Sequence, residues 1–302
     1  MSLVINNNMM AANTARTLNS HYSNLATSTQ RLSTGLRVNS AADDAAGLAI
    51  RELQRADIAA LQQGARNAND AISMIQTADG AMGVIDEKLI RLKELAEQAA
   101  TGTYDSTQRL MIESEYQAMA SEITRIANAT DFNGIHLLNG TLSGDHDGSG
   151  ASAADGISST GRMKIHFGTG NDSAEDYYYI EIGSVTASSL GVGNQAAPDA
   201  DGYTVSTQEA AQKALEAINQ AIISKDKIRA HLGAMQNRLE NTITNLNVQA
   251  ENLQAAESRI SDVDVATEMT QFVRNQILTQ SAVAMLGQAN SLPQMAMQLI
   301  GG

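Results

Sequence analysis

The sequence predicts a mainly α protein. It should consist of long coiled-coil-like helices in a hairpin or bundle, with the N- and C-terminal helices paired and a small β-hairpin insert between the helical halves. Three observations carry this. Aromatic residues make up only 3% of the 302 residues, with no Trp and two Pro. That is too few large side chains for a conventional core, and the abundance of Ala, Gln, Asn, Ser, Thr and Leu suits helices packed on one another. Apolar residues recur at heptad spacing at both ends of the chain. The charge map repeats the symmetry: the formal net charge is -13, yet the first acid is Asp43 and the last is Glu268.

The first segment carries Val4, Ala11, Leu18, Leu25 and Leu32 seven apart, with Asn8, Ala15, Tyr22 and Thr29 as companion positions. This is a heptad seam with small and polar members, and it should stop near Gly35. Asp43 and Asp44 follow, and one of them should cap a helix that includes Leu48 and Leu53, since acids are favoured at a helix start. A second seam runs Ala71, Ile75, Ala78, Met82, Ile85, Leu89, Leu92, Ala96 and Ala99 in steps of four and three, and is broken at Gly102. A third helix is predicted from about Ser106 to Asn128, followed by turn-rich "DFNGIHLLNG".

Residues 141–206 change character. Gly, Ser, Asp and Thr are dense, nine acids face only Arg162 and Lys164, and "MKIHFGTG" and "YYYIEIGSV" read as a two-stranded hairpin. Helical pattern returns at "STQEAAQKALEAINQAI", with Ser206 and Glu209 as a capping box. The last segment carries Leu278, Ala282, Met285, Ala289, Leu292, Ala296 and Leu299 in steps of four and three, with Pro293 inside it either kinking or ending the helix. Met residues such as Met82 and Met285 fall on the seams, which favours core packing over a promiscuous Met-rich binding surface.

Long helices with so few charges gain most of their stability from packing. Acid-free surfaces can be packed many-fold without desolvating carboxylates, so the two ends invite pairing with each other and with copies from neighbouring molecules. The chain lacks cysteine, so disulfide and thiolate chemistry are excluded. No apolar run reaches the roughly 18 residues a membrane span needs, and the start shows neither the basic nor the apolar region of a cleavable secretory signal. The acidic balance disfavours nucleic acid. The five histidines are scattered, His146 and His166 lack the H-E-x-x-H context, and no phosphate loop or nucleophile elbow occurs. No enzyme activity, cofactor or metal is expected.

Several long stretches in order, "RLSTGLRVNSAADDAAGLAI", "NANDAISMIQTADGAM", "IRLKELAEQAATGTY", "DFNGIHLLNG", "ENLQAAESRISDVDVATEMTQF" and "ILTQSAVAMLGQAN", resemble the terminal regions of bacterial flagellins. The resemblance covers roughly residues 1–140 and 206–302. It implies a structural subunit exported through the flagellar type III apparatus without a cleaved signal, which polymerises into the extracellular filament for motility. It also implies a terminal coiled-coil domain of residues 1–42 and 258–302 lining an inner tube. A helical bundle would comprise 43–142 and 207–257, with a short β-rich surface insert at 143–206. The partners implied are other copies of the chain, an export chaperone, and hook-associated and cap proteins. The alternatives are a hook–filament junction protein, which shares the terminal helices, and an unrelated secreted coiled-coil adhesin.

The stretch "LIRLKELAEQ" resembles the flagellin segment detected by the vertebrate innate receptor Toll-like receptor 5. Arg91, Glu94 and Leu95 match that segment and Glu115 matches a facing acid on the next helix. Arg91 and Leu95, four apart, should share a face outside the seam and offer a fork of donors beside an apolar knob. Ile90, Lys93 and Glu97 depart from the usual residues there.

Overall fold

The computed structural model describes residues 7–143, 161–172, 175–198 and 200–300. The elements run α1 (Met9–Thr34), α2 (Ala45–Ala100), α3 (Ser106–Ala129), β1 (Asp131–Phe132), β2 (Ile135–His136), β3 (Met163–His166), β4 (Tyr177–Ile180), α4 (Ala187–Leu190), α5 (Gln208–Ser261) and α6 (Val265–Ile300). The chain forms two compact units: Ala59–Ala250, and the residues up to Ile58 together with those from Glu251 onward. Among the described residues no helix is long and apolar enough to cross a membrane.

In the Ala59–Ala250 unit every member of the second heptad seam, from Ala71 to Ala99, is buried. It forms one cluster with Ile112, Tyr116 and Ile123 of α3 and Ala214, Ile218 and Leu239 of α5. Ion pairs stitch α5 to α2: the buried Lys225 ammonium meets Asp86, and Arg229 holds Asp79 at 2.7 Å. The insert packs on the same bundle. β1 and β2 pair through a two-residue turn in which Asn133 and Gly134 both have positive φ (53° and 81°), the geometry favoured in tight hairpins. β3 and β4 form the predicted antiparallel hairpin, His166 opposite Tyr177. Gly64 in mid-α2 lets this hairpin approach the helix: a Cβ there would sit 2.1 Å from the Phe167 carbonyl oxygen. The 193–205 segment is tied to α3 by Tyr116, whose buried hydroxyl donates to the Gly202 carbonyl at 2.7 Å, and by Glu113, which accepts from the Val205 amide at 2.5 Å.

The helix boundaries follow local chemistry, with one correction, at the start of α5. α1 ends at Gly35 in the left-handed conformation, its amide donating to the Arg31 carbonyl. Asp44 is the residue that caps α2, accepting from the Gly47 amide at 2.9 Å, while Asp43 accepts from the amides of Asn39 and Ser40 and the Ser40 hydroxyl. α5 is capped not by a Ser206–Glu209 box but one residue later: Thr207 accepts from Ala210 N–H, and Ser206 is engaged with Thr204. α6 runs through Pro293 rather than stopping there.

Candidate functional site

The two ends of the chain meet as an antiparallel helix pair. The Asn8 side-chain amide donates to the Ala289 carbonyl at 2.8 Å, Arg31 lies 3.7 Å from Glu268, and Leu36 forms a bridge with Asp262. Paired residue numbers thus sum to 297, 299 and 298, which sets one register along the whole length. Beyond α1 the chain is pinned to the α5–α6 break: Arg37 N–H donates to Ser261 O, Val263 N–H to Gly35 O and the Arg37 guanidinium to Ile260 O. α6 then restarts at Asp264. Its carboxylate accepts from the amides of Ala266 and Thr267 and from the Thr267 hydroxyl, bonds that hold it below the usual carboxylate range.

Of the seam residues expected on α1, Ala11, Leu18, Leu25 and Leu32 are half-buried, whereas Val4 lies outside the described residues. The companions are not Ala15, Tyr22 and Thr29, which are exposed, but Thr14, His21 and Ser28, three rather than four residues on. On α6, Ala282 and Ala289 are buried and Leu292 is half-buried, while the side chains of Ala296 and Leu299 lie outside the described residues. Leu278 and Met285 are corrections: they are 39% and 58% exposed, and Met285 is therefore no core residue of this pair. Thr279, Ala282, Leu286 and Ala289 take the covered positions instead. The pair has rotated by about 70° from the predicted stripe of α6.

α6 is consequently left uncovered over most of its circumference. Val273 and Ile277 point one way and Leu278 and Met285 another, all four more than a third exposed. A helix with exposed apolar residues on more than one side suits burial by more than one neighbour. The covered face mixes Phe272, Ala282, Leu286 and Ala289 with Glu268, Asn275 and Thr279. Ser28 and Glu268 are buried in it, and His21 Nδ1, Arg31 Nε and Glu268 Oε1 are buried without a hydrogen-bond partner. Sequence periodicity missed Arg31–Glu268, although a lone acid closing an otherwise acid-free tract was the signal for it. It also missed Lys225, a cation at an apolar heptad position of α5. Among the described residues no cluster of three His, Cys, Asp or Glu could hold a metal ion.

The second predicted surface lies in the Ala59–Ala250 unit. Arg91 donates from Nη1 to Glu94 at 2.8 Å and from Nε and Nη2 to Glu115 at 3.0 and 2.7 Å. These bonds, Glu94 first, raise its pKa above the ordinary arginine value. All three side chains are exposed. Leu95 is a correction: at 1% exposure it belongs to the core and offers no surface knob. The buried stripe of α2 is wider here than a two-position seam, because Leu95 and Ala96 are both covered.

Two family models match the chain, the bacterial flagellin N-terminal helical region over residues 5–143 and the C-terminal helical region over 215–300. The chain is 39% identical over 298 residues to flagellin FlaB2 of Treponema pallidum, covering 99% of this chain and all of that one. The chain belongs to the bacterial flagellin family. The flagellar filament 33 kDa core protein of Treponema phagedenis is likewise 39% identical over 298 residues, covering 99% of this flagellin and all of that protein. Among solved structures, a flagellar hook-associated protein from Vibrio parahaemolyticus shares the fold. Its TM-score is 0.54 at 15% identity, over 73% of this flagellin and 100% of that chain.

Proposed function

We propose that this flagellin is the structural subunit of a flagellar filament, and that its paired terminal helices are the polymerising element. The observation that carries this is α6: it meets α1 along one face and leaves Val273, Ile277, Leu278 and Met285 exposed. Those surfaces need further partners, and beyond Glu268 the tract carries only Arg274 as a charged side chain, so copies of the same helix can pack there without carboxylate desolvation. In this reading residues 1–42 and 258–302 line the inner tube, 43–142 and 207–257 form the surrounding bundle, and 143–206 face outward. The names of the full-length relatives, flagellins and a filament core protein, support the bulk subunit over the junction-protein alternative. Export as an unfolded or chaperoned chain follows, since an apolar α6 exposed in the free subunit needs covering before assembly. An export chaperone would supply that cover, with hook-associated and cap proteins as neighbours at the filament ends. The receptor contact, with Leu95 in the core, rests on Arg91, Glu94 and Glu115 alone. The test is electron microscopy of the purified chain at rising concentration. Fibres of constant width are expected, and a chain that stays monomeric at every concentration contradicts the assignment.

A further inference from the structure

The β3–β4 hairpin has an outer edge on β3. The Phe167 amide donates to the Asp176 carbonyl, which makes that pair a hydrogen-bonding one. In an antiparallel ladder such pairs alternate with wide ones, so Met163 and Ile165 bond to β4. Lys164 and His166, opposite Tyr179 and Tyr177, stand at the wide positions, with their amides and carbonyls directed away from β4. One of these groups is taken: the His166 carbonyl accepts from the Asn67 side-chain amide of α2 at 2.9 Å. The Lys164 amide and carbonyl and the His166 amide have no hydrogen-bond partner among the described residues. Edge strands are commonly blunted by a charged side chain. Here the Lys164 ammonium lies over the Tyr177 ring at 3.5 Å, drawn across the hairpin toward β4 and away from the edge. Beside that edge is a cavity of about 330 Å³. Its apolar lining comes from Ala71 and Met74 of α2, Phe132 and Ile135 of the β1–β2 hairpin, and Met163 and Ile165 of β3. Asp70 also lines it, exposed, and its carboxylate makes no ion pair or hydrogen bond among the described residues.

We propose that the outer edge of β3 and the cavity beside it form a docking slot for an extended, basic peptide of a partner protein, added to the hairpin as a third strand. Lys164 supplies one main-chain donor and one acceptor, and His166 a second donor. Main-chain bonds of this kind hold a peptide of any sequence in register, while the cavity accepts its alternate apolar side chains. Charge selects the partner. Asp70 lies unpaired at the cavity, and residues 141–206 carry nine acids against Arg162 and Lys164. A lysine or arginine beside the apolar positions therefore meets an opposite field, which a second copy of this acidic insert would not provide. The slot lies wholly within the Ala59–Ala250 unit, so it holds whether or not the terminal helices polymerise.

The test is fluorescence anisotropy of labelled, end-blocked heptapeptides titrated with the full-length free subunit. A peptide alternating lysine with valine is expected to bind with a Kd below about 1 mM, and one alternating glutamate with valine about tenfold more weakly or worse. N-methylation along the backbone of the first peptide should abolish its binding, because it removes the strand's donors without touching the protein. Lys164→Pro deletes the outward amide and no bond to β4, a position where an edge strand tolerates proline. It should weaken binding about tenfold or more. Lys164→Thr removes the side chain and keeps the amide, and should bind at least as well as the parent. Asp70→Asn should weaken binding several-fold, with helicity retained by circular dichroism in all three variants. The slot is overturned if the lysine–valine peptide shows no binding at about 1 mM, if its N-methylated form binds equally, or if Lys164→Thr loses as much as Lys164→Pro. A defect of assembly in Lys164→Pro, absent in Lys164→Thr, would assign the edge to a second copy and overturn the basic partner.

Discussion

Lys225 provides a sharp test of how the bundle is held, because its two sides predict opposite costs. Its side chain is 2% exposed, while its partners Asp86 and Asp226 are 32% and 59% exposed, Asp226 at 2.9 Å. Lys225→Met keeps the apolar stem, removes a buried ammonium and leaves two carboxylates that water already reaches. Asp86→Ala instead leaves the ammonium buried with one exposed partner. Breaking a fully buried pair costs about 3–5 kcal/mol. Asp226 retains part of the pairing here and Asp86 is partly hydrated, so about 2 kcal/mol is expected for Asp86→Ala. For Lys225→Met the change should lie within about 1 kcal/mol of zero, since replacing a buried ion pair by apolar packing is often neutral. The double variant should resemble Lys225→Met rather than the sum of the two, because both changes act on one network. Urea titration of the full-length chain, followed by far-ultraviolet circular dichroism, measures all three. A cost for Lys225→Met as large as that for Asp86→Ala would rule out this view of the ion pair.

Gly64→Ala should destabilise by about 2 kcal/mol, because its Cβ would press on the Phe167 carbonyl, whereas Gly80→Ala, with open space around it, should gain up to about 1 kcal/mol; thermal melts of the two variants show whether the signs differ. Asp264 and Asp43 are held below the usual carboxylate range, the former chiefly by the Thr267 hydroxyl and the latter by the Ser40 hydroxyl. Depressed carboxylates stabilise the fold above the ordinary carboxylate pKa and lose that contribution as pH falls through the lowered value. These hydrogen bonds should therefore weaken below about pH 4 and stay constant from about pH 5 to 9, and Asp264→Asn, at the α6 cap, should flatten the acid limb of a helicity titration. Deleting residues 270–302 should abolish polymerisation, read by sedimentation, while the Ala59–Ala250 unit keeps its helicity. Arg91→Ala should lower receptor signalling by the free subunit in a reporter-cell assay; unchanged signalling removes that contact from the account.

The second heptad seam was legible residue by residue because α2 buries its most apolar stripe, and the hairpin of β3 and β4 was legible from alternation and turn residues. The terminal pair was legible as a pair but not in its rotation. The heptad read from Leu278 and Met285 follows the C-terminal half of α6, whereas over its whole length α6 meets α1 through Glu268, Phe272, Thr279, Ala282, Leu286 and Ala289. Small seam residues such as Ala11 and Ala282 do little to enforce a unique match, so the rotation is not readable from them. Leu95 failed for a related reason: an i, i+4 relation to an exposed Arg91 says nothing of how wide a stripe the neighbouring elements cover. The cap of α5 moved from Ser206 to Thr207 because Thr204 competes for the Ser206 amide.

In the proposed filament, neighbouring copies cover the exposed apolar side of α6. Met285→Cys places a single thiol at a position 58% exposed in the isolated chain. Rapid reaction with a water-soluble thiol reagent is expected in the free subunit, with protection by about tenfold or more in the polymer. Equal reactivity of Cys at this position in the free and assembled chain would contradict it.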